Sequence, residues 1–217
     1  MAEASVVLLH GMGRTRWSMR KPARALGEAG YHVVNLGYPS TSRHHGIREL
    51  AAGLIPRAVA RCDPGQPIHF VTHSLGGILL RMYLQRHKLP GGSRAVMLAP
   101  PNHGSEVAES LRGWLLYRWL MGRPGQQLGT GAESIPLSLK AIEMEIGIIT
   151  GNRSIEPWFS RLLTGENDGK VSVDSARMPE AGDFLVVPAS HSFIMQNARV
   201  IDQVVHFIRR GCFRRDL

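Results

Sequence analysis

Cysteine is scarce in this chain. Cys62 and Cys212 are its only two in 217 residues, too few and too far apart for a disulfide framework, so reduced thiols are expected. No apolar run approaches the roughly 18–20 residues that a bilayer-spanning helix needs. The opening Met1-Ala2-Glu3-Ala4-Ser5 has neither a basic segment nor a long apolar core. No secretory signal is therefore visible, and a cytoplasmic location is the expectation, with export left open. No linker or compositional break divides the chain, so residues 1–217 read as one domain. Acidic residues are outnumbered, 17 against 26 Lys and Arg, which gives a net charge of +9.

The densest basic patch is the tail, with Arg209, Arg210, Arg214 and Arg215. Such a patch could draw an anionic membrane surface, nucleic acid or an acidic substrate, although a solvated basic surface is the simpler account. Zinc-finger spacing, an aromatic RNP box and a helix-turn-helix pattern are all missing, so nucleic acid is not an expected partner. Transient contact with a membrane surface stays open. His44-His45 lacks a third ligand at fitting spacing, and neither a metal nor another cofactor is expected.

The informative stretch is Ile68 to Gly77, IHFVTHSLGG. A run of β-formers stops at His73-Ser74, and Leu75-Gly76-Gly77 opens a helix at once. That layout puts a serine on a sharp strand-to-helix turn, and the glycines keep side chains out of the way of an approaching substrate. Similar short apolar runs recur at Ser5–Leu9, Tyr31–Leu36, Ala95–Leu98, Ile146–Gly151 and Phe184–Val187. They are too short for buried helices and fit strands covered on both faces. Helical patterns alternate with them: 17–29, the face Ile47, Leu50, Ala51, Leu54, Ile55 with a bend expected at Pro56, the stretch after Ser74, and 197–210. Strand–helix alternation of this kind predicts an α/β fold with a doubly wound, mostly parallel sheet.

With Thr72 in place of the first glycine of G-x-S-x-G, the serine turn resembles the nucleophile elbow of the α/β-hydrolase superfamily, in particular bacterial lipases and esterases. Other matches are His10-Gly11-Met12-Gly13 after the first strand and Pro100-Pro101-Asn102-His103-Gly104-Ser105 after the fourth. The remaining two are Gly165 to Ser172, and His191 between the last strand and last helix. The resemblance spans Val6 to Ile208 and implies an α/β-hydrolase fold with a small helical lid insertion at 106–145. It implies Ser74 as nucleophile, Asp168 as acid and His191 as base, with the N–H groups of Met12 and Leu75 forming the oxyanion hole. Glu166 and Asp174 are the alternative acids, and His103 is a rival base that falls before any of these candidate acids, against the family's order of nucleophile, acid, histidine. His10 is read as holding its loop by hydrogen bonds.

The insertion carries Leu111, Trp114, Leu115, Leu116, Trp119, Leu120 and Met121. Either it is a lid whose apolar face binds acyl chains or lipid, or it is an ordinary packing helix. Trp114, Leu115 and Tyr38 are the expected substrate-binding residues. Related secreted lipases bind calcium nearby, but no fitting set of oxygen ligands can be assembled here. The implied activity is hydrolysis of a small acyl ester or lipid through an acyl-enzyme on Ser74. Thioesterase, amidase and acyltransferase chemistry share the same three groups, and a non-catalytic binding protein of this fold is the alternative of another class. Nothing in the sequence bears on oligomeric state.

Overall fold

The computed structural model describes residues 4–155 and 157–215. Six strands, β1 (Ser5–Leu9), β2 (His32–Leu36), β3 (Ile68–His73), β4 (Arg94–Leu98), β5 (Glu145–Gly151) and β6 (Asp183–Val187), form one parallel sheet in the order β2-β1-β3-β4-β5-β6. The helices are α1 (Arg20–Glu28), α2 (Ile47–Val59), α3 (Leu75–Leu84), α4 (Glu106–Leu111), α5 (Leu115–Gln126), α6 (Ile135–Ser138), α7 (Pro157–Ser160), α8 (Val173–Ala176) and α9 (Ala198–Arg210).

Every residue of β1 and β3 is buried, which is why these strands are written as continuous apolar runs. Alternate side chains feed two cores. Val7, Leu9 and Phe70 pack with Leu50 and Ile55 of α2 and Ile78 and Leu79 of α3. On the other face Val6, Leu8, Val71 and Val96 meet Leu26 of α1 and Val204 and Phe207 of α9. Phe207 is fully buried, so Phe207→Ala should cost about 3–5 kcal/mol. β1 and β2 pair on one side while β3 joins β1 on the other. The winding direction therefore reverses between β1 and β3, and a crevice opens at their carboxyl ends.

Local details differ from the sequence reading. The first helical segment begins as a 3₁₀ turn, Arg16–Met19, before α1. α5 is broken at Gly122, whose φ of 62° and ψ of −162° interrupt the helix. A Cβ at that position would strike the carbonyl oxygens of Thr41 and Ser42, and Arg123 N–H donates to Ser42 O at 2.9 Å. The second half of α5 is thereby tied to the loop after β2.

Cys62 is buried, Cys212 is exposed and both are free thiols. Part of the basic tail is engaged: Arg214 pairs with Asp202 at 2.8 Å, and Arg215 pairs with Asp183. No helix among the described residues is long and apolar enough to cross a membrane.

Candidate active site

The site is assembled at the strand ends. β3 stops at His73, and Ser74 adopts φ 50° and ψ −118° before α3 begins at Leu75. A non-glycine residue held there stores about 1–3 kcal/mol of backbone strain. The turn is possible only because its neighbours are bare. A Cβ on Gly76 would lie 2.7 Å from the Leu9 carbonyl oxygen, and one on Gly11 would lie 2.6 Å from His73 Nδ1. Thr72 is accommodated in place of the first elbow glycine, fully buried in β3, with its hydroxyl lacking a hydrogen-bond partner.

Three side chains meet across the chain. His191 Nδ1 lies 2.7 Å from Asp168 Oδ2, and His191 Nε2 lies 3.0 Å from Ser74 Oγ. Ser74, Asp168 and His191 are all buried, Asp168 almost completely. Oδ1 of Asp168 accepts backbone N–H bonds from Lys170 at 3.0 Å and Val171 at 2.8 Å. The backbone N–H of His191 donates to Asp168 O at 3.0 Å. With Oδ1 occupied, Oδ2 faces the imidazole. A carboxylate only accepts, so the ring proton sits on Nδ1 and the Nε2 lone pair faces the serine hydroxyl.

The loop after β1 closes the other side. His10 Nδ1–H donates to Gly11 O at 2.9 Å, while His10 Nε2 accepts the Tyr38 N–H at 3.3 Å. The Tyr38 ring stacks on His10 at 4.1 Å, and its hydroxyl donates to His10 O. Burial lowers the His10 pKa and raises that of Tyr38. Ser40 Oγ accepts the Gly13 N–H at 3.1 Å. The N–H groups of Met12 and Leu75 have no acceptor among the described residues. Leu75 N–H is one of the unpaired donors that every helix start carries.

A cavity of about 170 Å³ adjoins Ser74 and His191. Its apolar wall includes Met12, Val107, Leu111, Tyr117, Met121 and Leu128, and its polar rim includes Arg14 and Lys170. Burial pushes the Tyr117 hydroxyl up to about 12, and that hydroxyl donates to Gly125 O at 3.5 Å. His73 also lines the cavity. Its pKa is held well below the usual range, first by burial and then by the charge of nearby His191.

Several expected positions lie elsewhere. Trp114 and Leu115 are 66% and 79% exposed and do not line this cavity. Leu111, Tyr117 and Met121 occupy the facing side of the insertion instead. Tyr38 clamps the His10 loop and is likewise absent from the lining. His103, Glu166 and Asp174 are exposed, and Asp174 pairs with Arg177 at 3.6 Å. His44 and His45 are exposed, and no group of three His, Cys, Asp or Glu among the described residues could hold a metal ion. Sequence reasoning passed over His73 as a functional neighbour. Its place before the serine was the one signal available. Arg14 and Lys170 carried none, because only the folded chain brings them together.

A winding reversal at β1 and β3 with a strained serine turn at the crevice defines an α/β-hydrolase fold. The sequence agrees: a model of the Alpha/beta hydrolase family matches residues 6–161, and the chain belongs to that family. A probable esterase from Oryza sativa subsp. indica is 30% identical over 86 residues, or 37% of this chain. That match spans only 33% of the rice protein's length. Among solved structures, the mature form of a Bacillus licheniformis lipase superposes with a TM-score of 0.72 at 21% identity, covering 95% of this chain and 92% of that one. A Legionella pneumophila phospholipase gives 0.71 at 19% identity, covering 95% and 59%. A metagenomic carboxyl esterase gives 0.69 at 21% identity, covering 88% and 65%. At such identities these superpositions establish shared fold.

Proposed function

We propose that this chain is a serine hydrolase of carboxylic esters, of the lipase or esterase type. The observation that carries the reading is the hydrogen-bonded series Ser74–His191–Asp168 beside an apolar cavity. A serine hydroxyl is a weak nucleophile at neutral pH, so it needs a positioned base. His191 Nε2 takes the Ser74 proton as Oγ bonds to the acyl carbon, and Asp168 fixes the tautomer and stabilises the imidazolium. The developing oxyanion is held by the Met12 and Leu75 N–H groups, each donor being worth roughly 3–4 kcal/mol. Collapse breaks the ester C–O bond, and the departing alkoxide takes the proton from His191. Water then repeats the sequence on the acyl-enzyme and releases the acid.

Residues 106–145 serve as a lid in this reading. The supporting observation is two-sidedness: Val107, Leu111, Tyr117 and Met121 face the cavity, while Trp114, Leu115, Leu116 and Trp119 face solvent. Such an outer face suits a lipid surface. A fluorophosphonate probe tests the central claim, with the expected adduct on Ser74 and none on Ser74→Ala. Absence of an adduct on the folded protein would make it a non-catalytic ligand-binding member of the fold. A series of p-nitrophenyl esters then ranks acyl-chain lengths.

A further inference from the structure

All four tryptophans of this chain, Trp17, Trp114, Trp119 and Trp158, are 59–74% exposed. Tryptophan is ordinarily well buried on average, so a full set left in solvent needs a reason. Their places in the fold supply one. Trp17 lies in the turn that leaves β1, Trp114 and Trp119 in the insertion after β4, and Trp158 in α7 after β5. Phe193, also exposed, follows β6. Contacts tie these segments to the carboxyl end of the sheet. Asn35, one residue from the end of β2, donates to Arg16 O at 3.1 Å. Arg43, in the loop after β2, lies over the Trp119 ring at 4.6 Å. Phe159, beside Trp158, lines the cavity that contains Ser74. The segments that enter the strands, 29–31, 60–67, 85–93 and 177–182, hold no exposed large hydrophobic among the described residues.

The same end is cationic. The stretches 10–19, 37–46, 112–123 and 152–163 contain eight arginines, no lysine and one acid, Glu156, which is +7 of the chain's net +9. Six of those arginines, Arg16, Arg43, Arg118, Arg123, Arg153 and Arg161, are exposed. We propose that this end of the molecule docks on an anionic lipid bilayer; the inference stands on the fold and needs no turnover at Ser74. A tryptophan ring seats at headgroup level, with its apolar body inward and its N–H in water. Arginine matches a phosphate with two parallel N–H bonds and stacks on aromatic faces. Arg16 lies over Trp17 at 5.1 Å, as Arg43 does over Trp119, so charge and ring reach the same depth. Nucleic acid would use the arginines and leave Leu115 and Leu116 in water, whereas a bilayer takes both. The basic tail is not part of this surface. Arg94, the first residue of β4, donates to the carbonyl oxygens of Ile208 and Arg209 at 3.0 and 3.1 Å, which holds the tail at the amino ends of the strands.

Sedimentation of the full chain with vesicles of phosphatidylcholine, alone or mixed with phosphatidylglycerol, tests the docking. Ser74→Ala is run in parallel so that lipid breakdown cannot confuse binding, and it should bind as wild type does. The mixed vesicles should bind about tenfold or more tightly than the neutral ones, and high salt should narrow the gap. Brominated lipid in the mixed vesicles should quench the tryptophan fluorescence. Trp17→Ser and Trp158→Ser, checked by their melting temperatures, should each weaken binding and reduce the quenching. Arg43→Gln and Arg161→Gln should each weaken it about fivefold, the usual effect of one cation at an anionic leaflet. Arg210→Gln, at the far end, should bind unchanged. Equal binding to both vesicle types, or anionic binding without quenching, overturns the proposal. So does a loss in Arg210→Gln as large as that in Arg43→Gln. Tight binding to duplex DNA with none to vesicles also overturns it and makes the partner a nucleic acid.

Discussion

His73 and His191 are joined by a hydrogen bond of 3.0 Å from the His73 ring Nε2 to the His191 carbonyl oxygen. A carbonyl only accepts, so His73 carries its proton on Nε2, and the residue before the serine holds the backbone of the residue that faces it. Burial keeps His73 neutral. His73→Leu should orphan a buried carbonyl at a cost of about 1–3 kcal/mol and let the imidazole drift. We expect kcat to fall about tenfold to a hundredfold with KM little changed, and His73→Gln, which keeps an N–H donor, to recover most of it. Wild-type kcat and melting temperature in His73→Leu would rule out this positioning role.

Asp168→Asn should separate geometry from tautomer. Its Oδ1 would still accept the Lys170 and Val171 N–H groups, now at 3.0 and 2.8 Å, so the loop should keep its shape. The amide nitrogen would then face His191 Nδ1 as a donor, which moves the ring proton to Nε2 and removes the lone pair aimed at Ser74. Such a reversal costs about 10⁴ in kcat in a triad. A loss below tenfold, measured on a short p-nitrophenyl ester, would argue against Asp168 as the acid.

Stability should fall in mild acid because buried histidines are held neutral. His69 is lowered to about 4, first by burial and next by the Arg94 charge, with Glu145 opposing. Between its unfolded pKa of about 6.5 and that value, the unfolded chain binds more protons, so stability declines as pH drops through this window. His10 and His73 act in the same direction. His69 Nδ1 accepts the Arg94 N–H at 3.1 Å, a role the Asn carbonyl can take. Urea unfolding of His69→Asn between pH 4 and 6.5 should show a shallower pH slope than wild type. An unchanged slope would mean that His69 titrates normally.

Strands and strand ends were the legible part of the chain. Residues buried on both faces, such as those of β1 and β3, leave unbroken apolar runs, and the positions that follow such runs must converge at one crevice. Among the residues at those ends, the α/β-hydrolase resemblance singled out Ser74, Asp168 and His191, whose side chains lie within hydrogen-bond distance of one another in series. It did not place Trp114, Leu115 or Tyr38. The greasy 111–121 stretch has apolar residues all round, so its inward side was unreadable, and the break at Gly122 shifts the register further. Tyr38 was read by position alone, while its hydroxyl and ring are taken up by His10. The meeting of Arg14, Lys170 and Ser192 joins residues 178 and 22 positions apart, beyond the reach of any local pattern.

If 106–145 covers the cavity, its outward residues should matter only at an interface. Leu115, Leu116 and Trp119 are 79%, 65% and 59% exposed, and Arg43 lies over the Trp119 ring at 4.6 Å. On a triglyceride of short chains, activity should rise as the substrate passes from monomers to emulsion. Leu115→Ser with Leu116→Ser should flatten that rise while sparing hydrolysis of monomers. A wild-type response that is flat across the solubility limit would assign the insertion to ordinary packing.

The serine turn should be a place where function is held at the expense of stability. Ser74 and Ala99 are the non-glycine residues with positive φ among those described, and Ser74 lies at φ 50° and ψ −118°, a region that glycine enters without a Cβ penalty. Comparing Ser74→Gly with Ser74→Ala isolates this term, because both lack the hydroxyl and its bond to His191 while only alanine keeps the Cβ. Glycine's extra freedom in the unfolded chain costs roughly 0.5–1 kcal/mol, against strain of about 1–3 kcal/mol relieved in the fold. Ser74→Gly should therefore be the more stable of the two by about 1–2 kcal/mol, or ~2–8 °C in melting temperature for a chain of this size. Neither variant should react with the fluorophosphonate. If Ser74→Gly melts below Ser74→Ala, the turn carries no strain to release, and the serine's geometry is set at no cost to the fold.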